Sequence, residues 1–393
     1  MLRLVIAFAV CSIVASVDQT NDLTKGIFSF ASDLYQECAK STQGNVIISP
    51  FSVSNALVLL SQATNGSTFD ELKKGLHLSG DKAAIANQFY EHYGSLQRGA
   101  GKATLSIANQ IYLQQDYPIN KNFQEVAAQQ FLSGIESVNF ANKDETAQKI
   151  NRFVENKTNK RITNLIKSDS LSADSRVILV NAIHFKAEWK DKFYEDSTRK
   201  GNFYISETET VPVDLMYNEE WFSYADLPDL DATALKMEYA ESNFSALFVL
   251  PNSRTGLSAL ETKLNSDSLN SITDKLSEQK LEVWIPKFTV EYETSLNDAL
   301  KNLGINEIFA SNANLRGLSE TGDALQVSDV VHKAFITVSE GGSEAAAATG
   351  VKIVLLSGSF NALKFRADHN FMYYIWDNNS KTIVFSGRVV NFN

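Results

Sequence analysis

The feature of this sequence that most restricts its fold is a change of pattern along the chain. Residues 22–40 and most of residues 68–165 carry apolar side chains at helical spacing. From residue 177 onward, segments such as "RVILVNAIHF" and "LEVWIPKFTVEY" are rich in the β-branched and aromatic residues that favour strands. The last two segments, "FMYYIWD" and "TIVFSGRVVNF", are separated by "NNSK" and predict a hairpin. Helices followed by antiparallel strands, without a linker between them, predict an α+β fold.

The N-terminus, "MLRLVIAFAVCSIVAS", has the layout of a secretory signal peptide. Arg3 precedes an apolar run from about Leu4 to Val14, which is too short to span a bilayer, and small residues follow it. We therefore expect cleavage after Ser16, so that residues 1–16 are removed and residues 17–393 form a secreted, extracellular protein. The alternative is a buried N-terminal strand. No other stretch of the sequence approaches a membrane span, so we expect no membrane partner.

Cysteine usage and glycosylation sequons are consistent with export. Of the two cysteines, Cys11 lies in the signal, so the mature chain keeps only Cys38 and cannot form an internal disulfide. Cys38 lies in an amphipathic helical pattern and is interpreted as a packed thiol. The stability of the protein must then come from a large core, which a chain of 393 residues can build. The candidate N-glycosylation sites are Asn65, Asn156, Asn243 and Asn378.

Charge and motifs exclude several classes of function. The formal net charge of −10, without any run of five basic residues, argues against a nucleic-acid or heparin-type partner. The sequence has no H-E-x-x-H, G-x-S-x-G or dinucleotide-binding motif, and its five histidines lack metal-ligand spacing. "GAGKAT" (99–104) ends like a phosphate loop, but Ala103 replaces the hydroxyl that Mg²⁺ requires. We therefore predict no enzyme activity, no catalytic or metal site and no cofactor.

One segment, "SEGGSEAAAATGVKIVLLSGSF" (339–360), mixes opposite preferences. Four alanines, Ala345 to Ala348, favour a helix, and the following Val351-Lys352-Ile353-Val354 favours a strand. If the segment forms a strand with Ser343 facing inward, every second residue up to Ile353 shares that face and is small or apolar. Both charged residues, Glu344 and Lys352, then lie on the outward face. The segment therefore suits two different conformations.

Seven segments, in order, resemble the serpin family. They are "NVIISPFSVSNAL", "KTNKRITNLI", "VILVNAIHFKAEW", "IPKFTVEY", "VVHKAFITVSEGGSEAAAATG", "FRADHNF" and "IVFSGRVVNF". The resemblance covers nearly the whole mature chain and is closest to secreted insect serpins. It implies a single-domain fold with three β-sheets, eight or nine helices and an exposed reactive loop at about 340–360. A protease cleaves this loop, which then inserts into the central sheet as an extra strand.

The resemblance also assigns site residues. The hinge of the loop would be Glu340, Gly341, Gly342, Ser343, Glu344, Ala345, Ala346, Ala347 and Ala348, and the cleaved bond Leu356–Ser357, with Leu355 and Val354 as subsite residues. The polar "shutter" beneath the sheet would be Ser49, Ser52, Asn181 and His332, and the "breach" tryptophan Trp189. The chain departs from the family pattern at His184, Ala187, Asn370 and Phe392.

The function that the resemblance implies is inhibition by a suicide substrate. The partner would be a target protease, held as a covalent acyl complex by a monomeric inhibitor. Leu356 before the cleaved bond favours chymotrypsin-, elastase- or cathepsin-G-like serine endopeptidases, and Leu355 suits papain-like cysteine proteases as well. One alternative is a non-inhibitory serpin acting as a carrier or storage protein. Another is a hydrolase with a dispersed active site, for which no nucleophile–base pair can be named.

Overall fold

The computed structural model describes residues 23–344 and 363–392. These residues contain nine α-helices, which agrees with the eight or nine that the resemblance implies. The helices are residues 23–41 (α1), Pro50–Gln62 (α2), Ser67–Gly75 (α3), Lys82–Gly99 (α4), Lys121–Gln130 (α5), Lys143–Lys157 (α6), Leu257–Lys263 (α7), Ser266–Lys275 (α8) and Asn297–Asn302 (α9). Six of them precede residue 158, as the helical patterns predict.

The strands of the described residues form two hydrogen-bonded sheets. They are Val46–Ile48 (β1), Thr104–Gln114 (β2), Gly134–Val138 (β3), Val177–Glu188 (β4), Arg199–Tyr204 (β5), Thr210–Leu227 (β6), Ala232–Glu238 (β7), Phe244–Pro251 (β8), Ser277–Pro286 (β9), Phe288–Ser295 (β10), Val327–Ser339 (β11), Gly342–Ser343 (β12), Leu363–Arg366 (β13), Phe371–Asp377 (β14) and Thr382–Val389 (β15). The short strand β3 was not predicted from the sequence. The antiparallel pairing of β14 with β15 confirms the predicted C-terminal hairpin.

The larger sheet contains nine strands, in the order β1-β15-β14-β8-β7-β6-β9-β13, with β5 beside β6. Strand β6 is 18 residues long. Its first part pairs with β5 and its last part with β7, while β9 follows it along the other edge. Because one continuous strand serves both halves, two of the three expected sheets are joined into one hydrogen-bonded network.

The smaller sheet contains the site. Its order is β10-β11-β12-β4-β2-β3. Strands β4 and β11 are parallel neighbours from Val177/Val327 to His184/Phe335, and we call this ladder the seam. Beyond the seam, β12 lies between the same two strands and is antiparallel to both. The smaller sheet therefore includes Gly342 and Ser343 as a short strand between β4 and β11.

The six-stranded sheet is buried on both faces, which explains the apolar run of β4. Val177, Leu179 and Ile183 face the main core, whereas Ile178 and Val180 pack in a second cluster with residues of α6. A strand covered on both faces loses the alternation of polar and apolar residues and becomes continuously hydrophobic. The side chains of β4 with even numbers therefore point toward α6, and those with odd numbers toward the core.

Helix α2 packs between the two sheets, with contacts to both β15 and β4. The Ser49 hydroxyl caps its N-terminus by accepting a hydrogen bond from the N–H of Ser52, and Pro50 occupies the first turn, where no backbone donor is needed. All residues from Pro50 to Ser61 are buried, because both sheets and the helices α3 and α4 pack against α2 and leave it no solvent-facing side. This placement brings Ser49 and Ser52 under the seam.

The described residues also test the expectations about the thiol and the membrane. Cys38 is a buried free cysteine in α1, and burial raises its thiol pKa to about 12, so it is a packed thiol as predicted. None of the described helices has the length and apolar character needed to cross a membrane. The predicted signal peptide, residues 1–16, lies outside the described residues.

Candidate functional site

The hinge enters the sheet at Gly342 and Ser343. Gly342 pairs with Glu188 of β4 and Ser339 of β11, and Ser343 pairs with Ala187 and Val338. Gly342 has a φ of 146°, and a Cβ at this position would lie 2.0 Å from the carbonyl oxygen of Ala187. Only glycine combines this backbone conformation with so close an approach of two chains.

Ser343 faces the core, as its predicted inward position requires. It is fully buried, and its hydroxyl lies 2.7 Å from the hydroxyl of Tyr239, which in turn lies 2.9 Å from that of Tyr373. Burial raises the pKa of Tyr239 well above its ordinary value, so the chain of hydroxyl groups is neutral. The small side chain of Ser343 therefore fits both the space and the hydrogen bonding at this position.

Glu344 corrects one expectation. It lies on the face opposite Ser343, but its side chain is only 7% exposed, because the turn after α6 covers that face. The carboxylate contacts the guanidinium of Arg161, and its Oε2 lies 2.6 Å from Nε2 of His184. Burial lowers the pKa of His184, and the carboxylate of Glu344 opposes that effect. The outward face of the hinge is therefore a buried polar contact and not solvent.

Trp189 and Glu340 fix the end of the sheet where the hinge enters. Trp189 is fully buried and stacks on Tyr239 with ring centroids 4.5 Å apart, and its indole N–H donates to the carbonyl of Ser339 at 2.9 Å. The carboxylate of Glu340 accepts a hydrogen bond from Thr198 at 2.8 Å and pairs with Lys287 at 2.8 Å. The predicted breach residue thus contacts the strand that precedes the hinge.

The four predicted shutter residues lie together under the seam and are all fully buried. The N–H of Ser49 donates to Nε2 of His332 at 3.2 Å, so Nδ1 carries the proton and donates to Oδ1 of Asn181. The amide of Asn181 donates to the hydroxyl of Ser52 at 2.6 Å. Burial lowers the pKa of His332 to about 3, which keeps the imidazole neutral. The bond between His332 and Asn181 crosses the seam from β11 to β4.

Asn109 belongs to the same hydrogen-bonded cluster, and the sequence analysis missed it. Its Oδ1 lies 2.5 Å from the amide nitrogen of Asn181 and accepts from Ser52 at 3.3 Å. Asn109, Asn181 and His332 occupy one row across β2, β4 and β11. The sequence feature that could have indicated this residue is the polar asparagine within the otherwise strand-like "LSIANQIYLQ".

Other predicted site residues are placed as follows. The structure does not describe the hinge residues Ala345 to Ala348. It also does not describe residues 354–357, which include the predicted cleaved bond and its subsite residues.

The candidate glycosylation sites differ in exposure: Asn65 and Asn156 are exposed, whereas Asn243 and Asn378 are half-buried. The amide nitrogen of Asn378 donates to the carbonyl of Asn243 and to the hydroxyl of Ser245, both at 2.8 Å. Within residues 23–344 and 363–392, no group of His, Cys, Asp or Glu side chains has the arrangement of a metal site.

Comparison with known proteins identifies the family to which this chain belongs. The family described as "Serpin (serine protease inhibitor)" matches residues 25–392. Serine protease inhibitor 42Dd of Drosophila melanogaster is 36% identical over 361 residues, which are 91% of this chain and 95% of that protein. Antichymotrypsin-2 of Bombyx mori is 32% identical over 364 residues, 92% of this chain and 96% of that protein. This chain belongs to the serpin family.

Solved structures agree with this assignment. Serpin48 of the insect Tenebrio molitor matches with a TM-score of 0.87 and 32% identity, over 95% of this chain and 99% of that chain. Thyroxine-binding globulin in complex with thyroxine matches with a TM-score of 0.87 and 29% identity, over 94% and 98%. The α+β serpin fold that the sequence predicted is therefore confirmed.

The hinge geometry generates a test of inward insertion. We expect Ser343→Arg to prevent insertion, because an unpaired guanidinium buried beside Tyr239 costs several kcal/mol, about as much as two buried aliphatic side chains contribute. Incubation with protease should then yield cleaved protein without a gel-stable complex, and cleavage should raise the melting temperature less than in the wild type.

The matched control is Thr289→Arg, which places the same charge at an exposed position of the same sheet. It should behave like the wild type in both assays. If both variants lost the gel-stable complex equally, any new charge on the sheet would prevent complex formation, and the inward position of Ser343 would not be the cause of that loss.

Proposed function

We propose that this protein is a secreted suicide-substrate inhibitor of serine endopeptidases with a chymotrypsin-, elastase- or cathepsin-G-like primary pocket. The observation that carries the proposal is the pairing of Gly342 and Ser343 between β4 and β11. A sheet that accepts two residues of the hinge in antiparallel register has the geometry to accept the residues that follow. Acylation of the protease by Leu356 would release the loop to continue this strand.

The register of β12 gives the proposal a specific consequence. Thr349 follows Ser343 by six residues, and six residues back from Ala187 and Val338 are Asn181 and His332. Continued insertion would thus place Thr349 between the two residues whose hydrogen bond crosses the seam. Thr349 shares the inward parity of Ser343, so its hydroxyl would replace the bond that insertion breaks.

This register predicts the effect of Thr349→Val. The substitution keeps a β-branched side chain of similar size but would leave Nδ1–H of His332 and Oδ1 of Asn181 without a partner after insertion, which costs about 1–3 kcal/mol for a buried polar group. We expect less protease trapped per molecule cleaved and a smaller gain in melting temperature on cleavage. Thr349→Ser keeps the hydroxyl and should restore most of the trapped protease and most of the gain in melting temperature. A Thr349→Val variant that traps protease as the wild type does would contradict the register.

The cleaved bond is proposed as Leu356–Ser357. An apolar residue before this bond fits a deep hydrophobic primary pocket, whereas trypsin-like proteases require a cation, and the nearest one on that side is Lys352. Leu355 also supports papain-like cysteine proteases as targets, because they select an apolar residue at the preceding position. The printed name of antichymotrypsin-2 is in keeping with an apolar preference in a relative.

The test is incubation with chymotrypsin, neutrophil elastase, papain and trypsin, followed by gel analysis and mass measurement of the released C-terminal peptide. We expect a stable complex with at least one of the first three, and a peptide that begins at Ser357. Leu356→Arg is the matched variant, which should lose the chymotrypsin complex and gain one with trypsin. A wild-type peptide beginning at Ile353, with a stable trypsin complex, would place the bond after Lys352 instead.

The second candidate function is that of a carrier, which the likeness to thyroxine-binding globulin favours. A pocket of about 440 Å³ near the end of β15 includes Arg254, Asn370 and the buried Glu261–Arg388 ion pair in its lining. In the incubation described above, a carrier would be cleaved by every protease that reaches its loop and would trap none. That outcome would favour the carrier over the inhibitor.

Export and glycosylation form the last part of the proposal. We expect the secreted protein to begin near Val17 and to carry glycans at Asn65 and Asn156, which are exposed, but not at Asn378, whose amide nitrogen is occupied. Expression in insect cells, N-terminal sequencing and peptide mapping with and without glycosidase would measure both. An intact Met1, or occupancy at Asn378 alone, would contradict the proposal.

A further inference from the structure

The backbone leaves strand geometry at Glu344. Its φ is 58°, in the left-handed region, which costs a non-glycine residue about 1–2 kcal/mol. Its N–H still donates to the carbonyl of Thr337 of β11 at 3.2 Å. At Glu344 the backbone is therefore turned out of strand geometry but is still hydrogen-bonded to β11. Such a conformation persists only where neighbouring groups stabilise it.

The groups that surround Glu344 come from two other elements. Arg161 lies in the turn after α6, where Asn159 and Lys160 adopt positive φ and the N–H of Arg161 donates to the carbonyl of Thr158 at 3.0 Å. His184 lies on the face of β4 that points toward α6. Their contacts with the carboxylate connect the hinge, the central strand and the covering turn.

This contact is costly to remove because the carboxylate is already out of water. A carboxylate with 7% of its side chain exposed is stable only with charged or hydrogen-bonding partners close by. Withdrawal of Gly342 and Ser343 from the sheet would break the contact. Further insertion would also disturb it, since Glu344 must change from φ 58° to an extended backbone.

We propose that Arg161 and His184 are positioning residues that retain the hinge at two inserted residues by binding the carboxylate of Glu344. We call these three residues the Glu344 latch. The latch opposes both withdrawal of the hinge and insertion of the uncleaved loop, and thereby keeps the loop available to a protease. Its importance for inhibition rests on the proposed function, whereas its presence in the intact protein does not.

The test is hydrogen–deuterium exchange of peptides that cover Gly342 to Glu344 in the intact, full-length protein. Loss of the latch by Arg161→Gln should accelerate exchange at the hinge by about 5- to 30-fold, the change that one or two kcal/mol would produce. Arg161→Lys keeps the charge and should restore most of the protection. The matched control is Arg152→Gln, which removes an exposed cation of α6 and should leave exchange unchanged.

Glu344→Gln separates the latch from a general effect on α6, because it changes the hinge itself. It should accelerate exchange as Arg161→Gln does, and the double variant should add little to either single change, since the same contact is lost in all three. Both single variants should also convert faster, on mild heating without protease, to a form of higher melting temperature. His184→Phe should give a smaller effect in the same direction.

Two results would overturn the latch. One is hinge exchange in Arg161→Gln equal to that in Arg152→Gln, and the other is full additivity of the Arg161 and Glu344 changes. Failure of the proposed inhibitor function would give a result different from these two. A wild-type protein that traps no protease, but whose hinge exchange responds to Arg161 and Glu344 non-additively, would leave the latch intact and disprove the inhibitor.

Discussion

The seam between β4 and β11 is the constraint on which the rest of this structure depends. A parallel ladder joins the two strands, and parallel pairing is slightly less stable per residue than antiparallel pairing. A strand inserted in the direction of β12 is antiparallel to both neighbours, so it replaces one parallel ladder by two antiparallel ones. If the loop inserts as proposed, the less stable ladder is exchanged for two more stable ones, which would favour the sheet with one more strand.

The two buried faces of the sheet decide which strand can enter. On the core side, Tyr239 and Tyr373 already fill the space next to Ser343, so the positions that follow on this face need small or apolar side chains. On the other face, α6 and the turn after it cover the strand. Alanines at the start of the inserting segment satisfy both faces, because they need little room on either side. Under the proposed function, the mixture of helix-favouring and strand-favouring residues in this segment would suit insertion between two filled layers.

Sequence reasoning could predict the fold class and the inward position of Ser343. It also selected Ser49, Ser52, Asn181 and His332, which the structure brings together under the seam, and their role as a shutter stays a prediction. It could not predict that Glu344 is buried, since parity specifies a face but not whether another element covers that face. Asn109 was missed for a related reason: the row that it completes exists only once β2, β4 and β11 are in register. The joining of two expected sheets depends on the unbroken length of β6, which local patterns do not reveal.

Under the proposed function, the polar groups at the seam would make insertion selective for the sequence of the strand. His332 and Asn181 are fully buried, and Nδ1–H of His332 donates to Oδ1 of Asn181 across the two strands that insertion would separate. A strand that entered without a hydrogen-bonding side chain at that level would leave this Nδ1–H and this Oδ1 unpaired, at about 1–3 kcal/mol each, which would offset part of the gain from the new ladders. This loop displaced by one residue would present Ala348 or Gly350 to the shutter instead of Thr349, and neither side chain can form a hydrogen bond. Under the proposed function, the same hydrogen bonds that close the seam would disfavour strands in the wrong register, and the sequence of the loop would have to match the shutter as well as the layers above and below.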